Sequence, residues 1–108
     1  MKVYKKVQWK GRKYIAVLKL PSLVQIMWDP SDVTAKHRAS KVKVLGFETL
    51  KGKSCPNMKK ARGTFDPDFV YHRGKVAKPK YKFSLKQGVC ESGIHFFVSK
   101  QKAKKWAA

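Results

Sequence analysis

Acidic residues are what this sequence has least of. Six aspartates and glutamates stand against 26 lysines and arginines in 108 residues, a formal net charge of +20. So few carboxylates give no ground for paired-carboxylate catalysis. Four of them (Asp29, Asp32, Asp66 and Asp68) fall in turn-like sequence, where capping is their ordinary role. Arginine is scarce too: only Arg12, Arg38, Arg62 and Arg73 occur, beside 22 lysines. Arginine is the usual bidentate reader of guanine edges, whereas lysine is a point charge on a flexible stem. The balance therefore points away from base reading and towards backbone contact. Cysteine is limited to Cys55 and Cys90. Two thiols without a signal sequence are expected to stay free in a reducing, intracellular setting. No apolar run is long enough to span a membrane, and no glycine-rich phosphate loop occurs.

What is present describes a folded protein. Hydrophobic residues make up 43% of the chain and aromatics 12%, far from the composition of a disordered basic tail. The length fits one domain, residues 1–108, with one modest core. A charge of this size opposes compaction through self-repulsion and favours a polyanionic partner. A surface made basic only for solubility would carry mixed signs.

Along the chain, Lys2 to Trp9 alternates, with Val3, Val7 and Trp9 on one side and Lys2, Tyr4, Lys6 and Gln8 on the other. Lys10-Gly11-Arg12 reads as a hairpin turn and Lys13 to Leu20 as the returning strand. Such a hairpin is expected to gather Lys2, Lys5, Lys6, Lys10, Arg12 and Lys13 along one rim. Pro21 ends the strand, and Ser22 to Trp28 reads as a third strand or a buried helical turn. Asp29-Pro30-Ser31-Asp32 is a turn signal that also suits capping of a short helical turn over Val33 to Arg38. In Lys41 to Phe47, alternation sends Val42 and Val44 inwards and Lys41 and Lys43 outwards. Leu50 to Thr64, rich in Gly, Pro, Ser, Asn and basic residues, reads as a long mobile basic loop. Phe69-Val70-Tyr71 reads as a short strand, and His72-Arg73-Gly74 as a turn. Lys75 to Leu85, interrupted by Pro79, is an edge strand or extended segment. Ile94 to Val98 has strand composition and is expected to lie centrally. Ser99 stands at an N-cap position before a cationic helix from Lys100 to Trp106. Phe96 and Trp106 are the expected anchors.

The motifs carry a resemblance. Leu18-Lys19-Leu20-Pro21, then Lys36-His37-Arg38-Ala39-Ser40-Lys41-Val42-Lys43-Val44-Leu45, then Tyr71-His72-Arg73-Gly74-Lys75 with Val76, Pro79 and Phe83, and finally Cys90-Glu91-Ser92-Gly93-Ile94-His95-Phe96-Phe97 are similar to a small domain of unknown function. That domain is common in large DNA viruses and phages, often after pentapeptide repeats. Here His37 stands where the family tends to have cysteine, and Glu91-Ser92 where it has alanine-proline. The resemblance implies a viral or phage origin and no particular reaction. Gly93-Ile94-His95-Phe96-Phe97 with Ser99, Ala103 and Trp106 also resembles a segment of ADP-ribosyltransferases. Those enzymes need a later glutamate, and Glu91 is the last carboxylate here.

No cofactor and no metal are expected. Cys55, Cys90, His37, His72 and His95 lack the close ligand pairs of structural zinc sites, and Cys90 with His95 lacks an orienting third group for nucleophilic chemistry. At least about two-thirds of the aromatics are expected in the core. Any exposed among Tyr4, Trp9, Tyr14, Tyr81 and Phe83 would favour single-stranded partners through stacking.

The expected fold is α+β and β-rich: a twisted, mainly antiparallel sheet of five or six strands with the C-terminal helix packed on it. The expected function is a non-enzymatic viral nucleic-acid-binding protein that packages or condenses DNA by sequence-tolerant lysine–phosphate contact, duplex DNA first among its partners. The contributing field is Lys5, Lys6, Lys10, Arg12, Lys13, Lys41, Lys43, Lys51, Lys53, Lys59, Lys60, Arg62, Lys78, Lys80, Lys82, Lys100, Lys104 and Lys105. Two alternatives stand beside it. One is a minor capsid or cement protein of a virion that meets acidic structural proteins. The other is an enzyme or inhibitor acting on nucleic acid through His95 and Cys90. The expected location is intracellular, or in the virion if the protein is viral.

Overall fold

The first hairpin sets the frame. Strands β1 (Lys2–Trp9) and β2 (Arg12–Lys19) pair antiparallel over their full length, from Lys2 opposite Lys19 to Trp9 opposite Arg12. Their two-residue connection holds Lys10 at φ 50° and Gly11 at φ 79°. Two positive φ angles define a type I′ turn, whose twist matches that of the flanking strands. This is the turn the sequence indicates, with Arg12 already in β2. The protein is described from a computed structural model that covers residues 1–27, 37–64, 66–79 and 93–105. The expected Asp29–Asp32 turn, the helical turn before His37, the aromatics Trp28, Tyr81 and Phe83, Cys90 and Trp106 lie outside the described residues.

Seven further strands pair around this hairpin or beside it. They are β3 (Ile26–Met27), β4 (His37–Ala39), β5 (Val42–Thr49), β6 (Lys60–Gly63), β7 (Val70–His72) and then β8 (Val76–Ala77), with β9 (Ile94–Phe96) preceding helix α1 (Lys100–Lys105). The main sheet has six strands in the order β7-β6-β1-β2-β5-β8, and a smaller sheet has the order β3-β4-β9. Every strand pairing among the described residues is antiparallel. The β-rich expectation with a six-stranded antiparallel sheet and a short C-terminal helix therefore holds.

The main sheet cannot lie flat. Its two edge strands, β7 and β8, are separated in sequence only by Arg73, Gly74 and Lys75. Four residue steps reach at most about 14 Å, whereas the outer strands of a flat six-stranded sheet stand roughly 24 Å apart. The sheet must curl until its edges meet, and the connection marks the seam. There the Gly74 amide donates to the Val44 carbonyl at 2.8 Å, and the Val44 amide donates to the Lys75 carbonyl at 2.9 Å. Arg73 closes the seam from the other side. Its backbone amide donates to Lys59, its Nε to the Met58 carbonyl at 3.0 Å and its Nη2 to the Cys55 carbonyl at 2.8 Å. Gly46 leaves room for that guanidinium: a Cβ there would stand 3.2 Å from Nη2.

The curled sheet encloses the main core. Val3, Val7, Ala16, Leu18, Val42, Val44, Phe47, Ala61 and Tyr71 meet there, joined by Ala39, Ile94 and Phe96 from the small sheet. Each fully buried aliphatic or aromatic side chain contributes about 1.5–3 kcal/mol. A second, smaller cluster of Ile15, Phe97 and Ala103, with Tyr4 against it, seats α1 on the outer face of β1 and β2. The Ser99 hydroxyl accepts from the Lys102 amide at 3.4 Å, the N-cap the sequence indicates.

Four readings need correcting. Ser22 to Trp28 is not a third strand of the main sheet: among its described residues only Ile26–Met27 pairs, and it does so in the small sheet, after a turn at Ser22-Leu23. His37 and Arg38 do not end a helical turn but begin β4. The stretch from Leu50 to Thr64 is not all loop. It folds back on β5 through Thr49–Lys53 and Cys55–Phe47 backbone bonds and ends as β6, whose Ala61 is buried at the centre of the core. Finally, β9 is not central. It is an outer strand of the small sheet, tied to β1 by the reciprocal backbone bonds of Tyr4 and Phe97 at 2.7 and 2.8 Å.

Candidate nucleic-acid interface

Strand pairing decides where the cations go. Residues directly opposite each other point to the same face. Lys2 stands opposite Lys19, and Lys19 stands opposite Lys43 on β5. The three lysines form one row across β1, β2 and β5, and all three are exposed. At the usual strand spacing the row spans about 10 Å. Directly opposed like charges destabilise a sheet, so the row is an arrangement that folding alone disfavours. The position of the bulge matters here. The register shifts between Val17 and Leu18, where Val17 faces Gly46 and Leu18 faces Val44. That shift brings Lys43 into line with Lys19.

The hairpin does not gather its basic residues on one rim. Lys2 lies at its open end, while Lys10, Arg12 and Lys13 lie at the turn end. Lys5 sits opposite the buried Ala16, and its Nζ donates to the His95 carbonyl at 3.0 Å, tying β1 to β9. Lys6 sits half-buried opposite Ile15, on the face that carries the helix. At the turn end, Lys10 and Lys60 place their Nζ atoms 5.9 and 5.5 Å from the Trp9 ring centroid. Arg12 and Lys13 are exposed there.

The remaining field residues spread round the curled sheet, the loops and the helix. Lys43 is exposed and Lys41 half-buried, with Val42 and Val44 inside, as alternation requires. Lys51, Lys53, Lys59, Lys60 and Lys78 are exposed. Arg62 is exposed and donates to the Pro67 carbonyl at 3.1 Å. Lys104 is half-buried and Lys105 exposed on α1. Lys80 and Lys82 lie outside the described residues. Lys100 is already engaged: its Nζ lies 2.9 Å from the Glu48 Oε1 and 5.5 Å from the Tyr4 ring centroid. Bonding to Glu48 is the largest cause that holds its ammonium above the usual lysine range. The charges of Glu48 and Tyr4 act the same way, against desolvation.

Two residues of the row, Lys2 and Lys19, lie outside the field expected from sequence: Lys2 is expected only on the hairpin rim, and Lys19 stands between Leu18 and Leu20 in an apolar strand. A signal was present. A two-residue turn at Lys10-Gly11 fixes Lys2 opposite Lys19 by counting outwards from the turn. The bulge that aligns Lys43 has no comparable signal.

Comparison with known proteins supplies the family. The profile of a family of unknown function (DUF5758) matches residues 1–103. The chain belongs to that family. No curated protein and no solved structure matches it. In this DUF5758 domain the two motif stretches around His37 and Ile94 form one unit: His37 pairs with Phe96, Arg38 with His95 and Ala39 with Ile94. Arg38, 2% exposed, is the largest side chain fully buried there. The His37 ring packs against Phe96 with centroids 5.7 Å apart. Next to this unit the Ser40 hydroxyl accepts from the Gln25 amide at 2.9 Å. These residues join the small sheet to the core. Cys55 and the exposed His72 lie elsewhere, on the stretch before β6 and on β7.

Proposed function

We propose that the protein is a non-enzymatic viral nucleic-acid-binding protein that holds duplex DNA through sequence-tolerant lysine–phosphate contacts, for packaging or condensation. The observation that carries this reading is the exposed row of Lys2, Lys19 and Lys43. A phosphate backbone relieves the repulsion within such a row, and neutralised phosphates release counterions on binding. Viral origin belongs to the same proposal and rests on the motif resemblance.

The aromatic side chains support duplex over single-stranded partners. Of those described, Phe47, Tyr71, Phe96 and Phe97 are buried, and Tyr4, Trp9, Tyr14 and Phe69 are half-buried. None of these eight rings is exposed as a stacking platform, whereas contact with a duplex backbone needs none. A direct test compares native protein with a Lys2→Gln, Lys19→Gln, Lys43→Gln variant at low salt on two fluorescent duplexes of unrelated sequence. The expected result is a loss of affinity that is the same for both sequences. Equal affinity of the variant and the native protein would remove the row from the interface.

A further inference from the structure

Leu23 is out of place twice over. Its side chain is 97% exposed, and its backbone lies in the left-handed region at φ 60°. That region is unfavourable for a leucine and costs glycine or asparagine far less. The turn that presents it is not loose. Leu20 and Val24 on either side pack against the core. The Leu20 amide donates to the Met1 carbonyl at 3.3 Å, and the Ser40 amide donates to the Gln25 carbonyl at 2.8 Å. An apolar side chain held outwards in a disfavoured backbone conformation, on a turn fixed at both ends, points to a contact made with something else.

Its neighbourhood indicates what. Lys19 ends β2 four residues before Leu23, so the two α-carbons are at most about 14 Å apart. Leu23 therefore stands beside the end of the sheet that carries the Lys2–Lys19–Lys43 row. We infer that Leu23 is an apolar wedge, inserted between base pairs of a duplex while the lysine row holds the flanking phosphates. The inference rests on the nucleic-acid reading above and extends it: the protein unstacks and bends its duplex. Single apolar side chains serve this purpose from the minor groove. Pyrimidine–purine steps are the easiest to open, so binding would favour deformable sequence without any hydrogen bond to a base. A membrane surface fits the site less well. Lasting attachment to lipid needs an extended apolar face or two anchoring signals, and a single leucine provides neither.

The test uses the full chain, native and Leu23→Asn, with a duplex carrying 2-aminopurine at a TA step. Asparagine tolerates the left-handed backbone, so the variant is expected to melt no lower than the native protein. Native protein should raise the 2-aminopurine fluorescence several-fold as it binds. The variant should bind with an unchanged salt slope, up to about tenfold more weakly, and raise no fluorescence. An equal rise with both proteins, or duplex binding by the native protein without any rise, would overturn the wedge and leave the lysine row standing. If neither protein binds duplex at low salt, the nucleic-acid reading fails and the wedge fails with it. Leu23-dependent binding to phosphatidylserine vesicles, with no fluorescence rise on the duplex, would overturn the wedge in favour of a lipid surface.

Discussion

At the scale of single residues, two positions show what the fold tolerates. Lys10 occupies the first place of a type I′ turn, where asparagine is preferred and a lysine at φ 50° is strained. Lys10→Asn should therefore stabilise the protein by about 0.5–1 kcal/mol in urea titration. Tyr71 is the opposite case, a polar ring well placed in the core. Burial first, and the Asp66 charge second, push its phenol well above the usual tyrosine range. In the unfolded chain the phenol ionises near pH 10, while in the folded protein it stays protonated. The contribution is thus complete below about pH 10 and is lost as pH rises beyond it, because the unfolded state then releases a proton the folded state keeps. Tyr71→Phe should flatten the alkaline fall in melting temperature relative to the native protein. An unchanged alkaline profile would mean that other groups govern it.

At the scale of elements, closure of the sheet is the feature on which the rest depends. Arg73 donates to the Met58 and Cys55 carbonyls across the seam, so Arg73→Ala removes the side-chain donor to Met58 and leaves Cys55 only its bond from the Met58 amide. A loss of about 2–3 kcal/mol is expected. Arg73→Lys should recover less than half of it, since an ammonium cannot reproduce the planar fork. Gly63 on β6 is a tighter constraint: a Cβ there would lie 2.7 Å from the Asp66 carbonyl oxygen. Gly63→Ala should cost about 1–3 kcal/mol by forcing the Asp66 turn away. Much of this level was legible in the sequence. Alternation revealed β1, β2 and β5, Lys10-Gly11 revealed the turn, and Ser99 revealed the helix start. What escaped notice depends on long-range pairing. Lys60–Gly63 alternates for only four residues amid loop-like composition, and its strand identity comes from burying Ala61 against β1. Likewise His37–Ala39 becomes a strand because it lies against Ile94–Phe96, more than fifty residues away. Nothing local to Arg73 announces that two sheet edges meet there.

At the scale of the whole molecule, charge and fold are in tension. A +20 chain of 108 residues folds with three lysines in register across adjacent strands, and each opposed pair opposes folding by a few tenths of a kcal/mol. Replacing Lys2, Lys19 and Lys43 together by glutamine should therefore stabilise the free protein by about 0.5–1 kcal/mol, even as it weakens binding. Stability gained where function is lost is the signature of a site kept for a partner. The composition had already indicated a polyanion, but not which of the 22 lysines act together. Under the proposed function, strand register makes that selection, drawing in Lys2 and Lys19 and turning Lys5 inward. The most direct measurement is the affinity for a duplex, plotted as log K against log salt, for native protein and for the triple glutamine variant. The account predicts a steep native slope, and a variant slope shallower by about 2 to 3, close to 0.9 for each phosphate contact removed. A flat native slope, or the same slope in both proteins, would contradict it.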